Sequence, residues 1–270
     1  MVVADINKDN RSDIALVLEK DLHVFLNTDV GKFTHHIVHS LIWIPLFMVA
    51  VDINRDNKLD IIAMYSSQCR ISVIFIDDTY TFIDQTYIET KSRPSNIAVI
   101  DVNEDNNPDI IVTNYEMNTI GILFNNENGT FINQKTYLTD DIAYSLDTAD
   151  MNNDNKIDII LVWDGIFAIL FNLGNSKFSA PVKYFFDFRS THLIIADVNA
   201  DNKLDIIFLP VNEEKIFIYF NKNNGIFTDF KTFQINNVPK QVTMADIDND
   251  GKMEVIFRHN WGIKILTFNC

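Results

Sequence analysis

The chain has 270 residues, is 47% hydrophobic, and carries a formal net charge of −15 with a pI near 4.6. That balance excludes nucleic acid as a partner, because such binding rests on basic patches that displace counterions. No apolar run reaches the ~18 residues of a membrane span: the longest, "SLIWIPLFMVAV", is short and contains Pro45, so we expect no direct membrane insertion.

The chain opens with "MVVADINKDN", already inside a pattern. No basic and apolar leader precedes it, so we expect either a protein that is not secreted or a piece of a longer precursor, extracellular only if a signal peptide lies upstream. The pattern is D-x-[ND]-x-D-[NG]-x-x-[DE], and it occurs six times. Repeat one (1–44) holds Asp5, Asn7, Asp9, Arg11 and Asp13 at its odd positions. Repeat two (45–93) holds Asp52, Asn54, Asp56, Lys58 and Asp60, and repeat three (94–142) holds Asp101, Asn103, Asp105, Asn107 and Asp109. Repeat four (143–189) follows with Asp150, Asn152, Asp154, Lys156 and Asp158, and repeat five (190–238) with Asp197, Asn199, Asp201, Lys203 and Asp205. Repeat six (239–270) has Asp246, Asp248, Asp250, Lys252 and Glu254. Successive motifs start 47, 49, 49, 47 and 49 residues apart. Near-constant spacing of this kind marks a repeat architecture.

Each unit reads as four short strands. In repeat two they are "LFMVAVD", "LDIIAMYS", "RISVIFID" and "YTFIDQTYIE", rich in β-branched and aromatic residues and separated by Asn, Asp, Gly and Ser. The run after each motif is unbroken and apolar, as in "DIIAMY" and "DIILVW", which predicts a strand covered on both faces. A phenylalanine travels with the motif at a fixed offset (Phe33, Phe82, Phe131, Phe178, Phe227), mostly after a turn such as "NNENGTF". The sixth copy supplies three strands and stops. The expected fold is an all-β propeller of six four-stranded blades, the last incomplete, or part of a seven-bladed ring. A β-solenoid is the competing architecture, but its repeats are usually shorter.

The motif joins the first two strands of each unit. Positions 1, 3, 5 and 9 carry oxygen-bearing side chains, and position 7 (Arg11, Lys58, Asn107, Lys156, Lys203, Lys252) offers its backbone carbonyl. Hard oxygen donors in that number suit Ca²⁺. Position 6, Asn in five copies and Gly in the sixth, suits the left-handed backbone of a tight loop. Three converging carboxylates repel one another unless a cation sits among them. An EF-hand is excluded because its position 12 needs a bidentate Glu, whereas here it is Leu16, Ala63, Val112, Leu161, Phe208 and Phe257. The simplest competing reading is a set of solvated Asx-turns without metal.

The acidic loop, the preceding "IAD" or "AVD" strand and the following "FNxxNGxF" segment resemble the FG-GAP/VCBS repeat family, which includes the head of integrin α subunits. The resemblance covers nearly the whole chain. It implies a propeller with calcium in the loop between strands one and two, a mostly extracellular setting, and roles in adhesion or ligand recognition. Asn mostly replaces Asp at position 3, and no literal FG…GAP tripeptides occur.

The expected function is a non-enzymatic, calcium-binding recognition module for a protein or glycan ligand, monomeric or part of a larger chain. Its ligand face is expected opposite the acidic loops, with Trp43, Tyr115, Trp163 and Trp261 as anchors and Arg93 and Arg189 as cations. One alternative is a carbohydrate-active lyase or hydrolase on a propeller, although no nucleophile elbow, zincin helix or P-loop occurs. His35, His36 and His39 of "THHIVHS" are more simply an outer strand, since adjacent residues point to opposite faces. The other alternative is a purely structural module of a larger protein.

Overall fold

The structure, a computed structural model, describes residues 1–29, 32–77, 81–163, 165–235, 238, 241–245, 254–259 and 262–266. They form two compact units, Met1–Ala143 and Tyr144–Cys270.

The first unit contains three four-stranded sheets, each an antiparallel meander in chain order. The first is β1 (Val2–Ala4), β2 (Asp13–Leu18), β3 (Asp21–Asp29) and β4 (Lys32–Ser40). The second is β5 (Phe47–Val51), β6 (Asp60–Tyr65), β7 (Arg70–Ile76) and β8 (Phe82–Glu89), with a 3-10 turn at Ser66–Gln68 between β6 and β7. The third is β9 (Pro94–Ile100), β10 (Asp109–Asn114), β11 (Thr119–Asn125) and β12 (Phe131–Leu138). The second unit repeats the design with β13 (Ser145–Ala149), β14 (Asp158–Trp163), β15 (Ile166–Leu170) and β16 (Val182–Phe185). Its next sheet is β17 (Ser190–Ala196), β18 (Asp205–Pro210), β19 (Lys215–Asn221) and β20 (Phe227–Gln234). Its last, three-stranded among the described residues, is β21 (Gln241–Ala245), β22 (Glu254–His259) and β23 (Gly262–Leu266).

The unbroken apolar runs are the second strands, and four of them (β6, β10, β14 and β18) are buried at every residue. Alternation along the strand explains why both faces must be apolar. In β6, Ile61, Ala63 and Tyr65 pack with Leu22, Val24 and Leu26 of the first sheet. The intervening Ile62 and Met64 pack with Ile110 and Val112 of the third. In the second unit, Ile160 and Val162 of β14 share a core with Ile206 and Phe208 of β18, while Ile207 and Leu209 turn toward Val255 of β22. β6 and β18 are therefore each the filling between two neighbouring sheets of their own unit. The outermost strand is wetter, as β20 shows with only Phe227 buried.

The antiparallel order fixes which loops share an end. The acidic loops, joining strands one and two, lie at the same end of each sheet as the turns joining strands three and four. The turns joining strands two and three, and the connections from one sheet to the next, lie at the opposite end. The register slips beside the turn between strands three and four, at Leu26/Asn27, Phe75/Ile76, Ile122/Phe124 and Tyr219/Asn221. Such a bulge aims backbone groups away from the ladder, here toward the acidic loop.

Candidate metal centre

Five acidic loops are described, and they share one conformation. Positions 4 and 6 are both left-handed: Lys8 and Asn10, Arg55 and Asn57, Glu104 and Asn106, Asn153 and Asn155, Ala200 and Asn202. Two such residues curl the chain so that amides of positions 5, 6 and 7 point inward. The position-1 carboxylate accepts the position-6 amide: Asn10 to Asp5 at 2.8 Å, Asn57 to Asp52 at 2.8 Å, and Asn106 to Asp101, Asn155 to Asp150 and Asn202 to Asp197 at 2.7 Å. The position-3 amide oxygen accepts the position-5 N–H in all five loops, at 3.0 to 3.1 Å. The position-5 carboxylate in turn accepts the position-7 N–H, at 2.7 to 3.0 Å.

Position 9 behaves differently. Asp13, Asp60, Asp109, Asp158 and Asp205 are fully buried. One oxygen accepts the position-2 amide of the same loop, as in Ile6 to Asp13 at 2.8 Å and Met151 to Asp158 at 3.0 Å. The other accepts an amide at or just beyond the end of the third strand: Asn27, Ile76, Asn125, Asn172 or Asn221. This aspartate therefore ties the loop to the third strand through backbone groups alone. Burial pushes Asp60 up to about 7 against the lowering effect of its two amide donors, with the negative charges of Asp56 and Asp52 adding to the rise. The same causes bring Asp109, Asp158 and Asp205 to about 6.

The sequence places the predicted ligands at positions 1, 3 and 5 together, and the structure keeps them so. Among the described residues no group of three His, Cys, Asp or Glu stands together as a metal site. Positions 1, 3 and 5 alone offer two carboxylates and an amide oxygen, all hard donors of the kind Ca²⁺ takes. One carboxylate oxygen in this set, Asp52 Oδ1, is shielded from solvent and has no hydrogen-bond donor, and Asn107 Oδ1 in the third loop is likewise buried and unpartnered. An orphaned carboxylate oxygen is costly unless something positive meets it. The residues fit a divalent cation on these grounds. The predicted ligands Asp246, Asp248, Asp250 and Lys252 lie outside the described residues, while Glu254 begins β22 and is buried.

The loops are also joined to their neighbours, a feature missed in the sequence. Asn125 Nδ2 donates to the carbonyl of Ile53, in the preceding loop, and to that of Pro108 in its own. Asn221 Nδ2 repeats this with Met151 and Leu204. The turn glycine beside each completes the contact: a Cβ on Gly129 would lie 2.9 Å from Phe75 Cζ, and one on Gly225 would lie 2.6 Å from Phe171 Cζ. The "FN" and "NG" of the repeat are thus the residues by which one sheet grips the acidic loop of the sheet before it.

The expected ligand-face residues divide. Tyr115 is 45% exposed in the turn after β10, and Arg93 lies 4.0 Å from Glu116. Arg189 is exposed, with its carbonyl accepting the Val211 amide. Trp43 is half-buried, edge-on to Tyr65 and Tyr87 and under the Arg70 guanidinium. Trp163, expected as an anchor, is corrected to a core residue: it ends the buried strand β14 at 2% exposure. Trp261 lies outside the described residues, as do the side chains of His35 and His36. His39 is half-buried, its ring 4.8 Å from that of Phe82.

Comparison with known proteins agrees with this geometry. A family described as FG-GAP-like repeat matches residues 5–63, 52–112, 101–161, 150–208 and 197–257, and the chain belongs to that family. No curated protein matches it. Among solved structures, an Agrocybe aegerita lectin, described for its specific recognition of non-reducing terminal N-acetylglucosamine, is similar to it. The match has a TM-score of 0.71 at 16% identity and covers 98% of this chain and 79% of that one. BBS1N, solved in complex with ARL6DN, is similar at a TM-score of 0.66 and 12% identity, covering 96% of this chain and 75% of that one. At these identities the likeness concerns the fold, which is propeller-like.

Proposed function

We propose that this chain is a calcium-stabilised, non-enzymatic recognition module whose six repeats close into one propeller. The repeat spacing and the near-complete coverage by propeller-like neighbours support the ring. The observation that carries the calcium reading is the shared conformation of five loops, each presenting two carboxylates and an amide oxygen around its own inward-facing amides. A bound Ca²⁺ supplies the counter-charge that the orphaned Asp52 oxygen lacks. Ligand capture is assigned to the end opposite these loops. In the first unit that end exposes Ile42, Ile44, Leu46, Phe47, Tyr115 and Met117. Apolar and aromatic residues flanked by Arg93 are apt for a protein or glycan surface. The lectin and the ARL6DN complex show that relatives in fold use both kinds of ligand.

Calorimetric unfolding in EGTA and in millimolar calcium tests this reading. Each site stabilises the fold by about 1.4 kcal/mol when calcium is about tenfold above its Kd, so several sites raise the unfolding temperature together. Asp52→Ala removes about one site's share, while Asp140→Asn, outside any loop, leaves the calcium response unchanged. An unfolding temperature identical in the two buffers overturns the calcium reading. Screening glycans then separates binder from enzyme, since stoichiometric capture supports the module and turnover overturns it.

A further inference from the structure

We propose that the residue at position 7 ranks the loops by calcium affinity, with lysine acting as a built-in competitor for the position-5 carboxylate. The proposal rests on the reading of these loops as calcium sites and goes beyond it, because position 7 was expected to contribute only its carbonyl.

The loops differ at this position in a way the rest of their geometry does not. In the second, fourth and fifth loops the side chain lies down over the loop. Lys58 Nζ is 3.2 Å from Asp56 Oδ2, Lys156 Nζ is 3.0 Å from Asp154 Oδ2, and Lys203 Nζ is 3.0 Å from Asp201 Oδ2. The lysine side chains are only 22% to 29% exposed, although an ammonium is ordinarily well hydrated. In the third loop the same position is the neutral Asn107, buried, with its Oδ1 unpartnered. There Asp105 Oδ2 accepts the amide of Asn103 at 2.9 Å, and no ammonium or guanidinium reaches it among the described residues. In the first loop Arg11 sends its guanidinium to the carbonyl of Thr28 near the end of the third strand, and Asp9 Oδ2 takes the Asn7 amide.

A cation entering a lysine loop must displace the ammonium or share the carboxylate with it. Repulsion between a divalent ion and one positive charge about 5 Å away, in near-aqueous dielectric and with salt screening, corresponds to about three- to tenfold in Kd. The third loop is therefore the tightest site and the first follows. The second, fourth and fifth are weaker and keep an internal counter-charge when calcium is low. Lys252 of the sixth loop lies outside the described residues.

Competition titration of the full chain against a fluorescent calcium chelator reads the macroscopic constants. Replacing Lys58, Lys156 and Lys203 together by Met keeps the apolar stems and removes the charge. The weaker constants are expected to tighten about three- to tenfold with stoichiometry unchanged, whereas the three Lys→Arg changes keep wild-type constants. Asn107→Lys is expected to weaken the tightest step by a similar factor. If the triple Met variant does not fold by near-UV circular dichroism, Lys156→Met alone and Asn107→Lys decide the matter. Calcium binding by the wild type with constants unmoved in these variants overturns the ranking and leaves the calcium reading standing. A wild type that binds no calcium overturns both, so the two failures are distinct.

Discussion

The side-chain amide of Asn125 donates to the carbonyl of Ile53 at 2.7 Å, across 72 residues of sequence. Asn221 makes the equivalent bond to Met151 at 2.8 Å, across 70 residues. Both reach a second carbonyl in their own loop as well. One side chain thus satisfies two loop carbonyls that the β-ladders do not use, and does so at a junction between sheets. Among the described residues Asn27 reaches its own loop alone, at Ser12 and 3.3 Å, and Ile76 stands at this place in the second repeat. Replacing Asn125 or Asn221 by Ala is expected to cost about 1–3 kcal/mol, because it strands buried acceptors. Asn27→Ala should cost less, since its bond is exposed. Urea unfolding of the three variants checks the order, and equal losses would show that the inter-sheet bond adds nothing.

The turn glycines obey the same geometry. Gly129 and Gly225 have φ of +70° and +71°, and an added Cβ meets an aromatic ring of the preceding sheet at 2.9 and 2.6 Å. Gly174 is also left-handed, at +75°, but its nearest neighbour is the flexible Lys156 Cε at 3.5 Å. Gly→Ala at 174 should cost about 1 kcal/mol, the backbone penalty alone. At 129 and 225 the loss should be larger by about 1–3 kcal/mol, because the ring must move within a packed seam. Chemical denaturation of the three variants measures the difference directly.

Much of this was legible because the chemistry repeats. The unbroken runs of β6, β10, β14 and β18 announced strands covered on both faces, and the Asp-rich loops announced a tight turn with Asn at position 6. Position 4 left no such mark. It is equally left-handed, yet it is occupied by Lys8, Arg55, Glu104, Asn153 and Ala200, of which Asn153 alone is a type that favours such a backbone. The fate of position 9 was hidden for another reason. A solvated loop aspartate and one buried against two backbone donors read the same in a sequence, and only the packing of the loop on the third strand separates them. The reach of Asn125 to Ile53 depends on how successive sheets stack, which spacing alone does not specify.

Trp163 and Tyr115 test the division between core and surface. Both stand near the turn joining strands two and three, yet Trp163 is 2% exposed and Tyr115 is 45% exposed. Trp163→Ala is expected to destabilise by about 3–5 kcal/mol through the cavity it leaves. Tyr115→Ala should stay within about 0.5 kcal/mol of wild type in stability, while weakening whatever ligand the exposed end captures. Thermal unfolding of both variants, with a binding assay on Tyr115→Ala, separates packing from recognition. A stable Trp163→Ala protein would show that this strand end is not part of the core.

Asp147 supplies a pH dependence away from the acidic loops. It lies on β13 opposite Ile160, a residue of the aromatic core of the second unit. Burial holds its carboxyl above the usual carboxylate range, although the amide of Thr148, 2.8 Å from Oδ1, works the other way. A carboxyl raised in the folded state stays protonated there after the unfolded chain has released its proton. The folded state then binds more protons than the unfolded one, so this group's contribution to stability falls as pH rises from the unfolded value through the folded one. Below the unfolded value both states are protonated and the group is neutral in the balance. Asp147→Asn keeps the acceptor for the Thr148 amide and abolishes the charge. It is expected to raise the unfolding temperature at pH 7 and to leave it unchanged near pH 3. Its advantage over wild type should grow between those limits, as measured by thermal scans in EGTA across the range. An advantage that does not change with pH would assign the effect to packing, and a loss at pH 7 would show that the charge itself is stabilised there.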